Sequence, residues 1–336
     1  MYYKNILINS IIKKENFSIL NLNNKIKNFY LKKKLNIFFK INFSNFNYIN
    51  NYYNSYNKVI FYSSKIKNNF LKINNLQTNC LISKIISSIK YNILDFFFCN
   101  FKKIIKLYLS KILNLKFKYN EIEIPVLINY SNLLFSGQIP KFYNFLFKIE
   151  NKNCFLIPTS EVILNSLSFF LKKKIKQIKI FCDSLCFRKE SYNLQNNFGL
   201  KRQNQFIKIE IFQFIKKNIS FIVFYNMCSI ISYILKSLKI KFKIVKINNL
   251  EINSNTFYSF DFEVYTNHWF EISSLSLCLN KPFFYYLKKK NIHIINGSCF
   301  PIGRLILIIL DIYRLNNRII KIPKKLNKYL TELLKW

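Results

Sequence analysis

Residues 186–214, CFRKESYNLQNNFGLKRQNQFIKIEIFQF, decide how this chain is read. A strand alternates its side chains between two faces. In QFIKIEIF (205–212) that places Phe206, Lys208, Glu210 and Phe212 on one face, and Ile207, Ile209 and Ile211 on the other. The isoleucine face is the core side. In CFRKE (186–190), the same alternation puts Cys186, Arg188 and Glu190 together. Two antiparallel strands joined by the polar loop between them would gather Arg188, Glu190, Phe206 and Glu210 on one surface. A guanidinium, two carboxylates and an aromatic ring suit a zwitterionic, aromatic, phosphate-bearing ligand. The planar arginine fork holds a carboxylate or phosphate through two hydrogen bonds, a geometry lysine lacks.

The surrounding vocabulary supports that emphasis. Two of only five arginines among 53 basic residues fall in this stretch. The chain has no alanine and 4 glycines, where about twenty glycines would be ordinary. Such usage fits an A+T-rich genome, so a break in it marks a local physical requirement. Gly137, Gly199, Gly297 and Gly303 all sit in segments that read as motifs.

With 336 residues, 51% of them hydrophobic, the chain can bury one large domain and a smaller one. No uninterrupted apolar run reaches the ~18 residues of a membrane span. FIVFYNMCSIISYIL (221–235) is broken by Asn226, and FPIGRLILIILDIYR (300–314) by Arg304 and Asp311. The N-terminal apolar patch is followed by no small-residue cleavage site. A soluble protein without a membrane partner is expected. Of the 8 cysteines, Cys182 and Cys186 are four apart, but no second pair at ligand spacing follows, and there are 2 histidines. Buried thiols in a reducing cytosol are expected, and no zinc. A net charge of +38 points to a polyanionic partner, nucleic acid first.

Along residues 1–100, Ile12, Ile19 and Ile26 repeat every seven residues, and a poorer apolar pattern runs through Ile66, Phe70 and Ile73. This predicts a degraded helical, coiled-coil-like arm. From Phe101, the residues Phe101, Ile104, Ile105, Tyr108 and Ile112 form one helical face. EIEIPVLI (121–128) alternates as a strand, with Pro125 at an edge or bulge. Short strands, one long helix near 219–238 and a closing buried helix in LILIILDIYR (305–314) predict an α+β catalytic domain over 101–336.

The order FRxE, loop, GLxRxxQFxKxE resembles motif 2 of class II aminoacyl-tRNA synthetases in its seryl-tRNA synthetase version. FSGQIPKF (135–142), IPTSEVIL (157–164), FDFEVY with FEISSLS (260–276), NGSCFPIGRLILIIL (296–310) and IKIPKKLNKYL (320–330) resemble further segments of that family, in its order. The resemblance implies an antiparallel sheet flanked by helices, dimerising through motif 1, here the helix from Phe101 and the strand to Pro125. It implies ATP-dependent formation of seryl-adenylate and seryl transfer to tRNA(Ser).

By the same resemblance, Arg188 clamps the serine carboxylate and α-phosphate, Glu190 accepts from the adenine amino group, and Phe206 stacks on the ring. Arg202 and Arg304 hold the β- and γ-phosphates. Glu271 and Ser274 are the implied Mg²⁺ ligands. Glu210 and Thr159 read the serine ammonium and hydroxyl, Ser298 adds a hydroxyl contact, and Glu161 supports Thr159. Because 271 and 274 differ by three, a bulge or strand end is required to bring them to one face.

The sequence also departs from the family. The motif 2 loop SYNLQNNF (191–198) lacks the usual glycines and arginines, Asn204 replaces a histidine, and the family's N-x-x-DFQ-x-R segment after SSLS is missing. Abundant lysine partly replacing the arm would make tRNA affinity fall steeply with salt. Rival readings are a threonyl- or prolyl-type synthetase, against which TSE and NGS argue, and a non-catalytic synthetase-like tRNA-binding protein. The composition suits the cytoplasm of a bacterium with a reduced A+T-rich genome, an organelle being the other setting.

Overall fold

Runs of β-branched and aromatic residues with a two-residue period become strands, and the apolar stripes with a helical period close over one face of them. The computed structural model describes residues 58–62, 71–73, 81–86, 89–94, 96–170, 177–189, 200–248, 252, 256–266, 268–278, 292–316 and 319–333, all within the unit Phe46–Trp336. In chain order the strands are β1 (Lys58–Tyr62), β2 (Leu71–Ile73), β3 (Leu81–Ile86), β4 (Ile89–Leu94), β5 (Asn120–Glu121), β6 (Leu127–Asn129), β7 (Cys154–Leu156), β8 (Gln177–Phe187), β9 (Gln205–Lys216), β10 (Phe242–Lys246), β11 (Tyr258–Tyr265), β12 (Trp269–Cys278), β13 (Ile292–Pro301), β14 (Arg314–Asn316) and β15 (Ile319–Ile322). The helices are α1 (Phe96–Lys111), α2 (Tyr130–Phe135), α3 (Glu161–Ser166), α4 (Ser220–Ser237), α5 (Ile302–Tyr313) and α6 (Lys324–Leu333).

Eight strands form the main sheet in the order β1-β10-β11-β12-β13-β9-β8-β5. Its ladders are antiparallel except for the short β5–β8 pair at one edge. One face carries Ile209, Ile211, Phe262, Leu275 and Ile295, which share a core with Phe101, Ile105 and Tyr108 of α1, Phe224 and Ile231 of α4, and Leu305 and Ile309 of α5. The segment Lys217–Ser237, which contains α4, is long and apolar enough to cross a bilayer by length and composition. Its residues Val223, Phe224, Met227, Ile230, Ile231 and Ile234 are nonetheless buried in this core. The fold is α+β, as the alternation predicted.

Three expectations need correction. Where residues 58–94 are described they are strands, not helix: β1 pairs with β10, β2 with β15, and β3 with β4. Sequences such as KVIFY and LISKII are rich in β-branched and aromatic residues, which favour a pleated ladder over a heptad seam. The heptad isoleucines Ile12, Ile19 and Ile26 lie outside the described residues. The helix expected from Phe101 begins at Phe96. The strand expected through EIEIPVLI is cut: β5 ends at Glu121 and β6 begins at Leu127, with Pro125 between them. Proline lacks the N–H a ladder needs.

Candidate active site

The face of the sheet opposite the helices is polar at its centre. Register aligns Ser274 of β12 with Ser298 of β13, Ser298 with Glu210 of β9, and Glu210 with Cys182 of β8. Residues directly opposite in antiparallel strands project to the same side. Glu210 and Lys208, two apart on β9, therefore share this face, as the isoleucine alternation required.

Glu210 is 5% exposed and its carboxylate is nearly enclosed by donors. The Thr159 hydroxyl lies 2.8 Å from Oε1 and 3.0 Å from Oε2. The Glu161 backbone N–H, at the first residue of α3, donates to Oε2 at 3.0 Å. Lys208 Nζ lies 2.5 Å from Oε1. The same ammonium donates to Thr159 Oγ1 at 2.8 Å and to Ser298 Oγ at 3.3 Å. Burial alone would raise the Glu210 carboxyl, but the Lys208 charge and the hydrogen bonds from Lys208 and Thr159 outweigh it and hold the group below its ordinary value. The Glu161 carboxylate turns to its own helix, accepting from Asn165 Nδ2 at 3.4 Å.

Arg188 follows β8 directly. Its backbone N–H bonds Asn204 O at 2.9 Å, which clips the end of β8 to the residue before β9. Nε donates to Pro158 O at 3.0 Å, and the guanidinium carbon lies 5.4 Å from the centre of the Phe206 ring. Among the described residues the two terminal nitrogens make no hydrogen bond, and their fork has the geometry to donate to an anion.

Arg304, in the first turn of α5, donates through Nε to Lys201 O and through Nη1 to Glu271 O, both at 3.1 Å. Gly303 eases this approach: a Cβ there would sit 2.6 Å from Gln203 Oε1, which would have to swing away, and 3.1 Å from Leu200 O, a tight contact for the 200–203 turn. Pro301 closes β13 and Ile302 opens the helix.

Glu271 and Ser274 do reach one face, and a bulge is the reason. Ser274 opposes Asp261 while Glu271 opposes Glu263, and the register shifts between Phe262 and Glu263. One extra residue of β12 is thereby absorbed. Ile272 goes into the core, and the odd spacing of 271 and 274 becomes an even one. Asp261, beside Ser274, is an acidic neighbour to which the sequence reading assigned no role.

The structure thus brings together Thr159, Glu161, Glu210 and Ser298 at one pole, and Arg188 with Phe206 beside it. Arg304 and the Glu271 backbone meet at another. Arg202 is exposed in the approach to β9. Glu190 and the loop through 199 lie outside the described residues. Lys208 was visible on the correct face but had no assigned part. The available signal was its spacing of two from Glu210.

Residues 145–313, about half the chain, match the family model described as the tRNA synthetase class II core domain (G, H, P, S and T), and the chain belongs to that family. Among curated relatives it is 34% identical over 245 residues to the cytoplasmic serine–tRNA ligase of Plasmodium falciparum, covering 65% of this chain and 39% of that protein. It is 32% identical over 233 residues to the serine–tRNA ligase of Ureaplasma urealyticum, covering 65% of this chain and 56% of the relative. The matched region therefore spans between two fifths and three fifths of these relatives. The crystal structure of cytoplasmic serine–tRNA ligase from Naegleria fowleri in complex with AMP has the same fold, with a TM-score of 0.69 at 21% identity over 82% of this chain and 71% of that one.

Proposed function

We propose that this chain activates serine with ATP and passes the seryl group to tRNA(Ser). The observation that carries the reading is the buried Glu210 constellation, built from Thr159, Lys208, Ser298 and the Glu161 N–H, beside the Arg188 fork in a class II synthetase fold. A carboxylate for an ammonium, hydroxyls for a hydroxyl and a guanidinium for a carboxylate match the three polar ends of serine.

In the first step a serine carboxylate oxygen bonds to the α-phosphorus of ATP as the bond to the bridging oxygen breaks, giving seryl-adenylate and pyrophosphate. In the second, the terminal ribose hydroxyl of the tRNA attacks the acyl carbon and AMP departs. Arg188 aligns the two anions of the first step, and Phe206 offers its ring to the adenine. Arg304 and Arg202 hold the outer phosphates, and Glu190 accepts from the adenine amino group. Positioning and charge neutralisation supply the rate. Glu271 and Ser274 present hard oxygen donors on one face. Such a pair suits a Mg²⁺ that takes its other ligands from phosphates and water. Among the described residues no three His, Cys, Asp or Glu side chains cluster as a cage of their own.

The basic N-terminal segment is assigned to tRNA, and the working pair to a homodimer. A cytoplasmic setting is favoured by the name of the Plasmodium relative. ATP–pyrophosphate exchange with Mg²⁺ and serine, threonine, alanine or no amino acid tests the reading. Exchange with serine alone is expected. Exchange with threonine in preference would move the chain to another branch of the family. No exchange from folded protein would favour a non-catalytic tRNA-binding role.

A further inference from the structure

Among the described residues, Lys208 is the one buried cation to which the mechanism above gives no task. An ammonium has three protons to donate, and three acceptors are in place: Glu210 Oε1 at 2.5 Å, Thr159 Oγ1 at 2.8 Å and Ser298 Oγ at 3.3 Å. All three belong to the proposed serine-binding set. The Lys208 side chain is 4% exposed, so it is a fixed wall of the pocket and not a surface lysine folded inward.

Its presence changes what the neighbours can offer. The single proton of Thr159 goes to the Glu210 carboxylate, while its oxygen accepts from Lys208. Ser298 accepts from Lys208 and keeps its own proton to donate. Glu210 Oε1 is taken by Lys208, and Oε2 already accepts from the Glu161 N–H. An incoming ammonium therefore meets a carboxylate whose charge has been matched. With the Glu161 carboxylate turned to Asn165 of its own helix, the charges grouped around Glu210 are those of Arg188, Lys208 and Glu210 itself, two positive against one negative. A zwitterion brings a carboxylate to Arg188 together with an ammonium for Glu210. A bare amine brings only a further positive charge.

We propose that Lys208 is a specificity-determining residue: by neutralising Glu210, it makes recognition of the substrate ammonium conditional on the substrate carboxylate. Serine is admitted, whereas amino alcohols and other amines with a serine-like end are refused. This rests on the serine-activation reading, and the test separates the two.

Ethanolamine carries the ammonium and hydroxyl of serine without the carboxylate. It is to be measured as an inhibitor of serine-dependent ATP–pyrophosphate exchange in the wild-type chain, in Lys208→Gln and in Lys208→Arg. For the wild type, the ethanolamine inhibition constant is expected at least ~100-fold above the serine KM. In Lys208→Gln the ratio of the two constants is expected to fall roughly tenfold or more, since Glu210 is left with an unmatched charge. Lys208→Arg keeps the charge and the wild-type ratio.

An unchanged ratio in folded Lys208→Gln overturns the inference, even if both constants rise together, which is what a merely structural role gives. Should Lys208→Gln fail to fold, the other two proteins decide. Ethanolamine inhibiting the wild type near the serine KM, or admitted by a folded Lys208→Arg, overturns it as well. Absence of any serine exchange by the wild type removes the activation reading and this inference with it. Exchange with an unaltered ratio removes this inference alone.

Discussion

A carboxylate and an ammonium withdrawn from water are tolerable only while both are present. Lys208 and Glu210 are 3% and 5% exposed, and each is the other's nearest opposite charge. Removing one charge strands the other in a low dielectric, a loss of about 3–5 kcal/mol in comparable buried pairs. Glu210→Gln is therefore expected to lower the unfolding free energy by about that much in urea titrations, and to abolish serine-dependent exchange. The double variant Lys208→Met with Glu210→Leu should recover most of the stability but none of the activity. A double variant no more stable than the single would show that the pair is not the source. The pH dependence has a definite sign. The folded Glu210 carboxyl lies below its ordinary value of 4.5, because the Lys208 charge outweighs the upward push of burial. The unfolded chain then binds the proton more readily. Its stabilisation is complete above the ordinary carboxylate range and is lost as pH falls below about 4.5.

At the scale of one element, β13 shows how alternation assigns opposite tasks to adjacent residues. Ser298 and Ile294 face the side of Glu210, while Gly297 and Ile295 face the helices. His293 follows the second set and is 1% exposed. Neither of its ring nitrogens has a hydrogen-bond partner among the described residues. Burial, with the Lys217 charge adding to it, pushes its pKa from 6.5 down to about 4. Between those values the unfolded chain is protonated and the folded chain is not, so stability falls as pH drops from about 6.5 to about 4. The loss from this one residue is at most about 3 kcal/mol. His293→Phe should flatten the urea midpoint across that window and leave the steeper loss below it, which belongs to Glu210. The same alternation explains what was legible. Strand β9 could be read because Ile207, Ile209 and Ile211 line one face, and a bulge or strand end near 271–274 because those two residues had to meet. Lys208 was hidden by its type: among 53 basic residues a lone lysine carries no information until its contacts are seen. Strands β1 and β2 were missed because their partners, β10 and β15, lie far along the chain, and β3 and β4, which pair with each other, because their residues follow no clean two-residue alternation.

For the whole molecule the governing quantities are charge and uncovered apolar surface. Leu127, Tyr130, Leu134 and Phe135 are 49%, 37%, 50% and 41% exposed within nine residues of one another, on β6 and α2. They adjoin a shallow apolar hollow lined by Pro125, Ile128, Ile163 and Leu167. Pro125 ends the segment assigned to motif 1, so we propose that a second copy of the chain covers this patch. Two copies, each at +38, repel one another across any such interface, and added salt screens that repulsion within about 10 Å at 0.1 M. Dimerisation should therefore strengthen with salt while tRNA binding weakens, because the same lysines attract phosphate and repel a copy of themselves. Sedimentation velocity across a salt series is expected to show the 40.6 kDa chain shifting toward twice that mass as salt rises. Leu134→Asn should weaken the association roughly tenfold or more, since a two-fold interface buries that leucine twice. A chain that stays monomeric at every salt concentration, or a Leu134→Asn variant that dimerises as well as the wild type, would leave this patch to some other partner.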